Sequence, residues 1–345
     1  MSALMSIQDR IPQNSVIENA SRTAKLFSLI GLSITLGFTS GYRLLGDGFD
    51  YWDYVTFYNE LGSPINWTYT RFEPGFVYAA WFFKWVLGSS YQLFASTLMT
   101  ISIFLKFFLF RRYIKHYAFA ITAYILIIYP IHEYTQIRIS ISIAIVLVAL
   151  HLAFRKKLVL PIILSYLAFN FHYTSVIIVP FILSAYFHDK SVIRKVIIAS
   201  LPIFLIMLYL STDLLIVTVA QYSSAADSYL RSTTYAMNND LVNTYSLAVI
   251  IPFAVLISSI ILGFHRDNYR IIFIYMTATS LCITLSFLQF PVFSHRLREI
   301  FTVGLLYIAF DNNRFLKDWV PAFFVSTYAI ASAYLAIRDK LVFDY

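Results

Sequence analysis

The sequence predicts an all-α, polytopic helical membrane protein. Of its 345 residues 59% are hydrophobic and only 13% charged, whereas soluble domains carry about 25% charged residues. Apolar runs of 13 to 20 residues recur along the whole chain. None shows the ten-residue alternation of a barrel strand, so helices rather than a β-barrel cross the bilayer. The single cysteine, Cys282, sits inside an apolar run. A disulfide framework and a thiolate metal cage are therefore excluded, and neither metal nor cofactor is expected.

The polar first 23 residues lack the short apolar core and small-residue cleavage site of a secretory leader, and they read as a cytoplasmic tail. Candidate spans then follow near 24–40, 91–110, 117–130, 137–154, 158–170, 174–187, 195–212, 245–264, 269–288, 298–310 and 319–337, about 11 in all. One polytopic domain over 1–345 accounts for the chain, with a first outer loop over 41–90 and a second over 213–244. The second contains the Ser, Tyr, Asp and Asn-rich stretch Gln221–Asn243, which has the composition of a polar connector or of a loop that closes over a glycan.

Short basic connectors decide the threading. RRYIKH, RKK, HDKSVIRK, HRDNYR and DNNRFLKD all fall on one side if the N-terminus is inside and the spans alternate. Sixteen of the 26 Lys and Arg then lie inside and eight outside, with Lys84 and Lys106 inside apolar segments. That is the positive-inside bias, and it removes the need to explain the net charge of +8 by nucleic acid. The threading forbids PGFVYAAWFFKWVLG (74–88) from crossing, so it reads as a re-entrant or interfacial helix.

Outside the C-terminal tail, the outward basic residues are Arg43, Arg71, Arg138, Arg231, Arg296 and Arg298, and none is lysine. Guanidinium forks bind phosphate or carboxylate through paired hydrogen bonds, so this bias points to an anionic ligand on that face. Arg138 stands at the mouth of a long apolar run, where an ionisable group is costly and marks function unless it snorkels. GYRLLGDGFDYWDY places Arg43, Asp47, Asp50 and Asp53 among Tyr51, Trp52 and Tyr54, suited to sugar hydroxyls and ring faces or simply to an interfacial turn. In TRFEPGF, Arg71 and Glu73 precede a Pro-initiated helix and could pair or cap it. FNFHYTS holds His172 at the tip of a short apolar hairpin, and SHRLRE holds His295, Arg296, Arg298 and Glu299.

The order of these elements resembles the EpsG family of polysaccharide polymerases, relatives of the Wzy O-antigen and capsule polymerases, over about residues 40 to 310. Arg43, Asp47 and Tyr51 match its first-loop pattern, and Glu73-Pro74-Gly75-Phe76 its acidic-Pro-Gly-Phe element. Arg138 matches the arginine of its Ile-Arg-Gln signature, with Ile139 replacing the glutamine. His172 matches its Phe-His element and Arg296 its late arginine.

The resemblance implies a fold like that of GT-C-type glycosyltransferases. It also implies polymerisation of lipid-linked repeat units on the outer face of a bacterial inner membrane, from an undecaprenyl-pyrophosphate-linked glycan donor. Flippase and chain-length-regulator partners are implied as well. Expected roles are Arg138 and Arg296 on the pyrophosphate with Arg298 or Arg71 assisting, Asp47 or Glu73 as base, and His172 sharing that task or orienting a phosphate. Arg43, Asp50, Tyr51 and Trp52 are expected on the glycan. A lipid-linked-glycan transporter is the rival from another class, with Lys84 and Lys106 in its favour. An O-antigen ligase-type glycosyltransferase is the rival enzyme.

Overall fold

The computed structural model describes residues 13–44, 50–67, 72–189, 246–264, 267–287, 291–311 and 319–338. Among them every regular element is helical. Among the described residues three helices are, by length and composition, long and apolar enough to cross a membrane: Ser21–Gly41 within α1 (Gln13–Gly41), α4 (Tyr91–Tyr113) and α7 (Ile137–Phe154). Shorter apolar stretches follow in α5 (Tyr117–Ile127), α8 (Val159–Phe171), the 3₁₀ segment Tyr173–Ile178 with α9 (Val179–Tyr186), α10 (Leu247–Ile261), α11 (Arg270–Ser286) and α13 (Trp319–Arg338). The expected span at 195–212 and the outer loop over 213–244, with Gln221–Asn243, lie outside the described residues.

Several boundaries differ from expectation for identifiable reasons. α1 starts at Gln13, inside the segment read as a polar tail. The run 117–130 ends at Ile127, because Pro130 opens a separate short turn, α6 (Tyr129–His132). Pro180 likewise starts α9 after the 3₁₀ segment and divides the hairpin arm expected to be continuous. The span expected over 298–310 starts seven residues earlier: helix α12 (Pro291–Phe310) begins at a proline, which places Arg296 and Arg298 on a helix. The expected re-entrant segment forms α3 (Pro74–Trp81), eight residues long, and a π-helical turn of five (Phe82–Val86). At 1.5 Å per residue it reaches about 20 Å, short of a ~30 Å hydrocarbon core.

α1 packs along α4. A Cβ added to Gly37 or Gly41 would stand 2.7 Å or 2.4 Å from the backbone nitrogen of Thr100 or Ser96. This is the small-xxx-small contact that lets membrane helices touch without a hydrophobic drive. Ser33, Thr35, Thr39 and Ser40 of α1 return their hydroxyls to carbonyls four residues back, which satisfies them without water. α2 (Tyr51–Glu60) lies over this end, with Tyr51, Tyr54 and Tyr58 on its buried stripe. Tyr54, Phe57, Phe72, Phe76 and Phe94 form one aromatic cluster joining α2, α3 and α4.

The two lysines inside apolar segments both have structural partners. Lys84 donates to the Asn59 and Leu61 carbonyls at 2.7 and 2.9 Å and so caps the C-terminus of α2. Lys106 of α4 is 0% exposed and donates to Glu133 at 2.5 Å, to Tyr124 at 2.9 Å and to Ser140 at 3.0 Å. This network pins the turn before α7 to α4 and α5.

Polar contacts between the described segments fall into separate groups. Residues assigned inside meet one another: the His116 amide donates to the Phe310 carbonyl at 3.1 Å, Lys156 pairs with Asp189, and Arg270 donates to the Asp311 carbonyl. Arg138 and His172 meet instead at Glu73.

Candidate active site

Glu73 is the N-cap of α3, in extended conformation, and Pro74 supplies the first helical position with φ already set. Gly75 then lets the start of α3 press on the end of α8. A Cβ there would meet the Asn170 carbonyl oxygen at 2.8 Å. Phe76, fully buried, anchors the helix in the aromatic cluster. The acidic-Pro-Gly-Phe stretch therefore reads as a positioning device, in which each residue places the carboxylate against α8.

That carboxylate, 4% exposed, bridges two groups distant in sequence. Its Oε2 accepts from Arg138 Nη1, at the first turn of α7, and its Oε1 lies 3.0 Å from His172 Nδ1, at the C-cap of α8. Arg138 Nε also donates to the Tyr54 hydroxyl at 3.3 Å, and its guanidinium lies 4.7 Å from the Phe72 ring centroid. Among the described residues no acceptor engages Nη2. Burial alone would raise the Glu73 carboxyl. The His172 hydrogen bond and the Arg138 charge outweigh it and hold the group below its usual value, so Glu73 is an anion. Burial pushes the Tyr54 phenol up, which keeps it neutral beside the pair.

A carboxylate on Nδ1 selects the tautomer in which Nδ1 carries the proton and Nε2 the lone pair. Nε2 of His172 has no hydrogen-bond partner among the described residues. With both Glu73 oxygens engaged, the basic lone pair free to take a proton is that of His172, while Glu73 orients the imidazole and Arg138 keeps Glu73 ionised. A carboxylate and an imidazole so arranged can chemically orient the ring and make its outer nitrogen more basic.

A second charged group lies at the same end. Arg296 Nη2 stands 4.0 Å from Asp50 Oδ2, at the N-cap of α2. Glu299 accepts from Gln136, and Arg298, Arg296 and Asp50 surround it. Gln136 immediately precedes α7, so this group and the Glu73 group share one helix start.

Arg43 sits at the end of α1 with φ 54°, a left-handed conformation costly for a residue with a Cβ. It is 8% exposed, with its guanidinium 4.9 and 4.8 Å from the Tyr51 and Tyr134 ring centroids. None of its nitrogens has a well-formed hydrogen bond among the described residues, and the Tyr91 hydroxyl lies beside it. Tyr51 is thus buried under Arg43, edge-on to Trp52 and Tyr91. Trp52 is 62% exposed and offers the open ring face of this loop. Asp47, Arg71 and Gln221–Asn243 lie outside the described residues, as does the side chain of His295.

Sequence reading passed over Phe72 and Gln136, and took Tyr54 only as one of the aromatics of its loop. Tyr54 carried a usable signal, the i, i+3, i+7 spacing of Tyr51, Tyr54 and Tyr58, which marks a buried helical stripe. Phe72 and Gln136 carried none, since their parts arise only from contacts across helices.

Neither a curated protein nor a solved structure matches the chain. The profile of the EpsG family does match, over residues 26–342, which takes in all of the charged end just described. With nearly its whole length matched, the chain belongs to the EpsG family, a family of Wzy-like polysaccharide polymerases.

Proposed function

We propose that this protein polymerises lipid-linked oligosaccharide repeat units on the outer face of the bacterial inner membrane. The donor is a glycan on undecaprenyl pyrophosphate and the acceptor a lipid-linked repeat unit, for O-antigen, capsule or exopolysaccharide. The observation that carries the reading is the Glu73–His172 pair with a free Nε2, held beside Arg138 at the arginine-rich end of the bundle.

In this reading the acceptor hydroxyl gives its proton to His172 Nε2 as its oxygen attacks the anomeric carbon of the donor. The bond from that carbon to the pyrophosphate oxygen breaks, and the lipid pyrophosphate leaves with the electron pair. Negative charge then develops on the leaving group. Arg138 through Nη2, Arg296 and Arg298 are the guanidinium groups available to stabilise it, with Arg71 assisting. Asp47 stays a rival for the base. Asp50 and Trp52 face the glycan, with Tyr51 and Arg43 beneath them. The free bond of the donor is already activated, so one direct displacement suffices. A flippase would deliver both substrates and a chain-length regulator would set when extension stops.

The transporter reading loses its main support, because Lys84 caps a helix and Lys106 is locked to Glu133. The decisive experiment is glycan length in cells lacking the protein, complemented with wild type, Arg138→Ala or His172→Ala at matched membrane abundance. A ladder with wild type that collapses to single repeat units with either variant is expected. A full ladder with both variants would overturn the mechanism. Accumulation of inward-facing lipid-linked units in the deletion would point to transport instead.

A further inference from the structure

At the end of the bundle away from Glu73, α1 and α4 flank an open cleft. The glycine crossing at Gly37 and Gly41 brings the two helices together near the Glu73 end. Toward the other end the facing side chains are Leu26 and Phe108, and a cleft of about 360 Å³ opens between the helices. Its remaining lining is Arg22, Thr23, Arg111 and Arg112, with no acidic residue among the described side chains. Arg111 Nη2 donates to the Arg22 carbonyl at 2.9 Å, which bridges the helices and holds one guanidinium at the rim. Arg112 is exposed, beside the Tyr113 ring at 5.9 Å.

We propose that this cleft binds the headgroup phosphate of an anionic phospholipid. By the threading above it opens at the cytoplasmic leaflet. Two bridging helices with an apolar floor and a guanidinium rim match an amphiphile carrying a phosphate diester. Arg111 and Arg112 pair with its oxygens and Thr23 donates a hydroxyl. Leu26 and Phe108 take the glycerol and first methylenes. Basic pockets between membrane helices at this level bind anionic headgroups for these reasons. The cleft volume falls within the range of small-ligand sites. An inorganic phosphate would leave the apolar floor unused, so the lipid is the better fit. The proposal stands independently of the polymerase reading.

The test is lipid retention by the purified full-length protein in mixed micelles, read by native mass spectrometry with phosphatidylglycerol and phosphatidylcholine as probes. Wild type is expected to retain phosphatidylglycerol in preference. Arg112→Gln should weaken that binding about fivefold, and Arg111→Gln with Arg112→Gln roughly thirtyfold. Arg112 is exposed and bonds to no backbone group, so its single variant keeps the test valid if the double variant misfolds. Equal retention of the two lipids, or wild-type binding by Arg112→Gln, would overturn the proposal. Displacement of phosphatidylglycerol by inorganic phosphate at equal concentration would also overturn it, and would assign the cleft to free phosphate.

Discussion

Replacing Glu73 by glutamine separates the charge of the bridge from its shape. Glu73 holds Arg138 with one oxygen and His172 with the other, and the two acid–base side chains of the Arg138–Glu73 pair are only 16% and 5% exposed. An amide can satisfy one partner only. If its oxygen faces His172, its NH₂ group meets the donors of Arg138. If its NH₂ group faces His172, it donates to Nδ1, moves the ring proton to Nε2 and abolishes the basic lone pair. The analogous carboxylate-to-amide change in serine proteases lowers kcat about 10⁴-fold through the wrong tautomer. A fall of roughly 10³- to 10⁴-fold is expected here in the initial rate of ladder growth by purified protein with lipid-linked substrate. Removing one partner of a buried pair costs about 3–5 kcal/mol. The Phe72 and Tyr54 contacts still hold Arg138, so the loss should lie at the lower end, about 3 kcal/mol, read as a lower melting temperature in detergent. Glu73→Asp should restore part of the rate if its carboxylate still reaches His172. A Glu73→Gln variant that folds and extends glycan at the wild-type rate would refute the orienting role.

His172→Asn keeps a donor near the Nδ1 position and removes Nε2, so abundance and melting should hold while the polymerisation rate falls at least about 100-fold, the low end of general base contributions. Gly75→Ala forces its Cβ onto the Asn170 carbonyl at 2.8 Å. Displacing Glu73 by even about 1 Å should cost roughly 100-fold in rate, measured beside an overpacking loss of about 1–3 kcal/mol in stability. Lys106→Met strands Glu133 at 0% exposure, and should cost about 3–5 kcal/mol. Adding Glu133→Gln should recover most of that melting temperature, and its failure to do so would remove the ion pair as the cause. Because the folded Glu73 group is held below its ordinary 4.5, its contribution to stability is present above that pH. It is lost as pH falls through the depressed value, and Glu73→Gln should flatten this acid limb of the melting profile.

What the sequence determined by itself was set by local energetics. Apolar runs without charges must find a bilayer, basic connectors must stay on one side, and prolines such as Pro74 and Pro291 must open helices. Arginines placed at membrane depth announce a ligand or a partner because their burial is costly. Those constraints act within a span of a few residues, so they are legible one segment at a time. The tertiary structure alone decided which side chains meet. Glu73, Arg138 and His172 are separated by 65 and 99 positions from Glu73. Their convergence depends on Gly75 closing on Asn170, on the aromatic cluster under α2, and on the Lys106–Glu133 network that pins the start of α7. The same packing turned Lys106 from a hint of transport into a brace, and buried Tyr51 while leaving Trp52 open. Hydrogen bonds and ring contacts across helices obey distance in space, and no periodicity along the chain carries that distance.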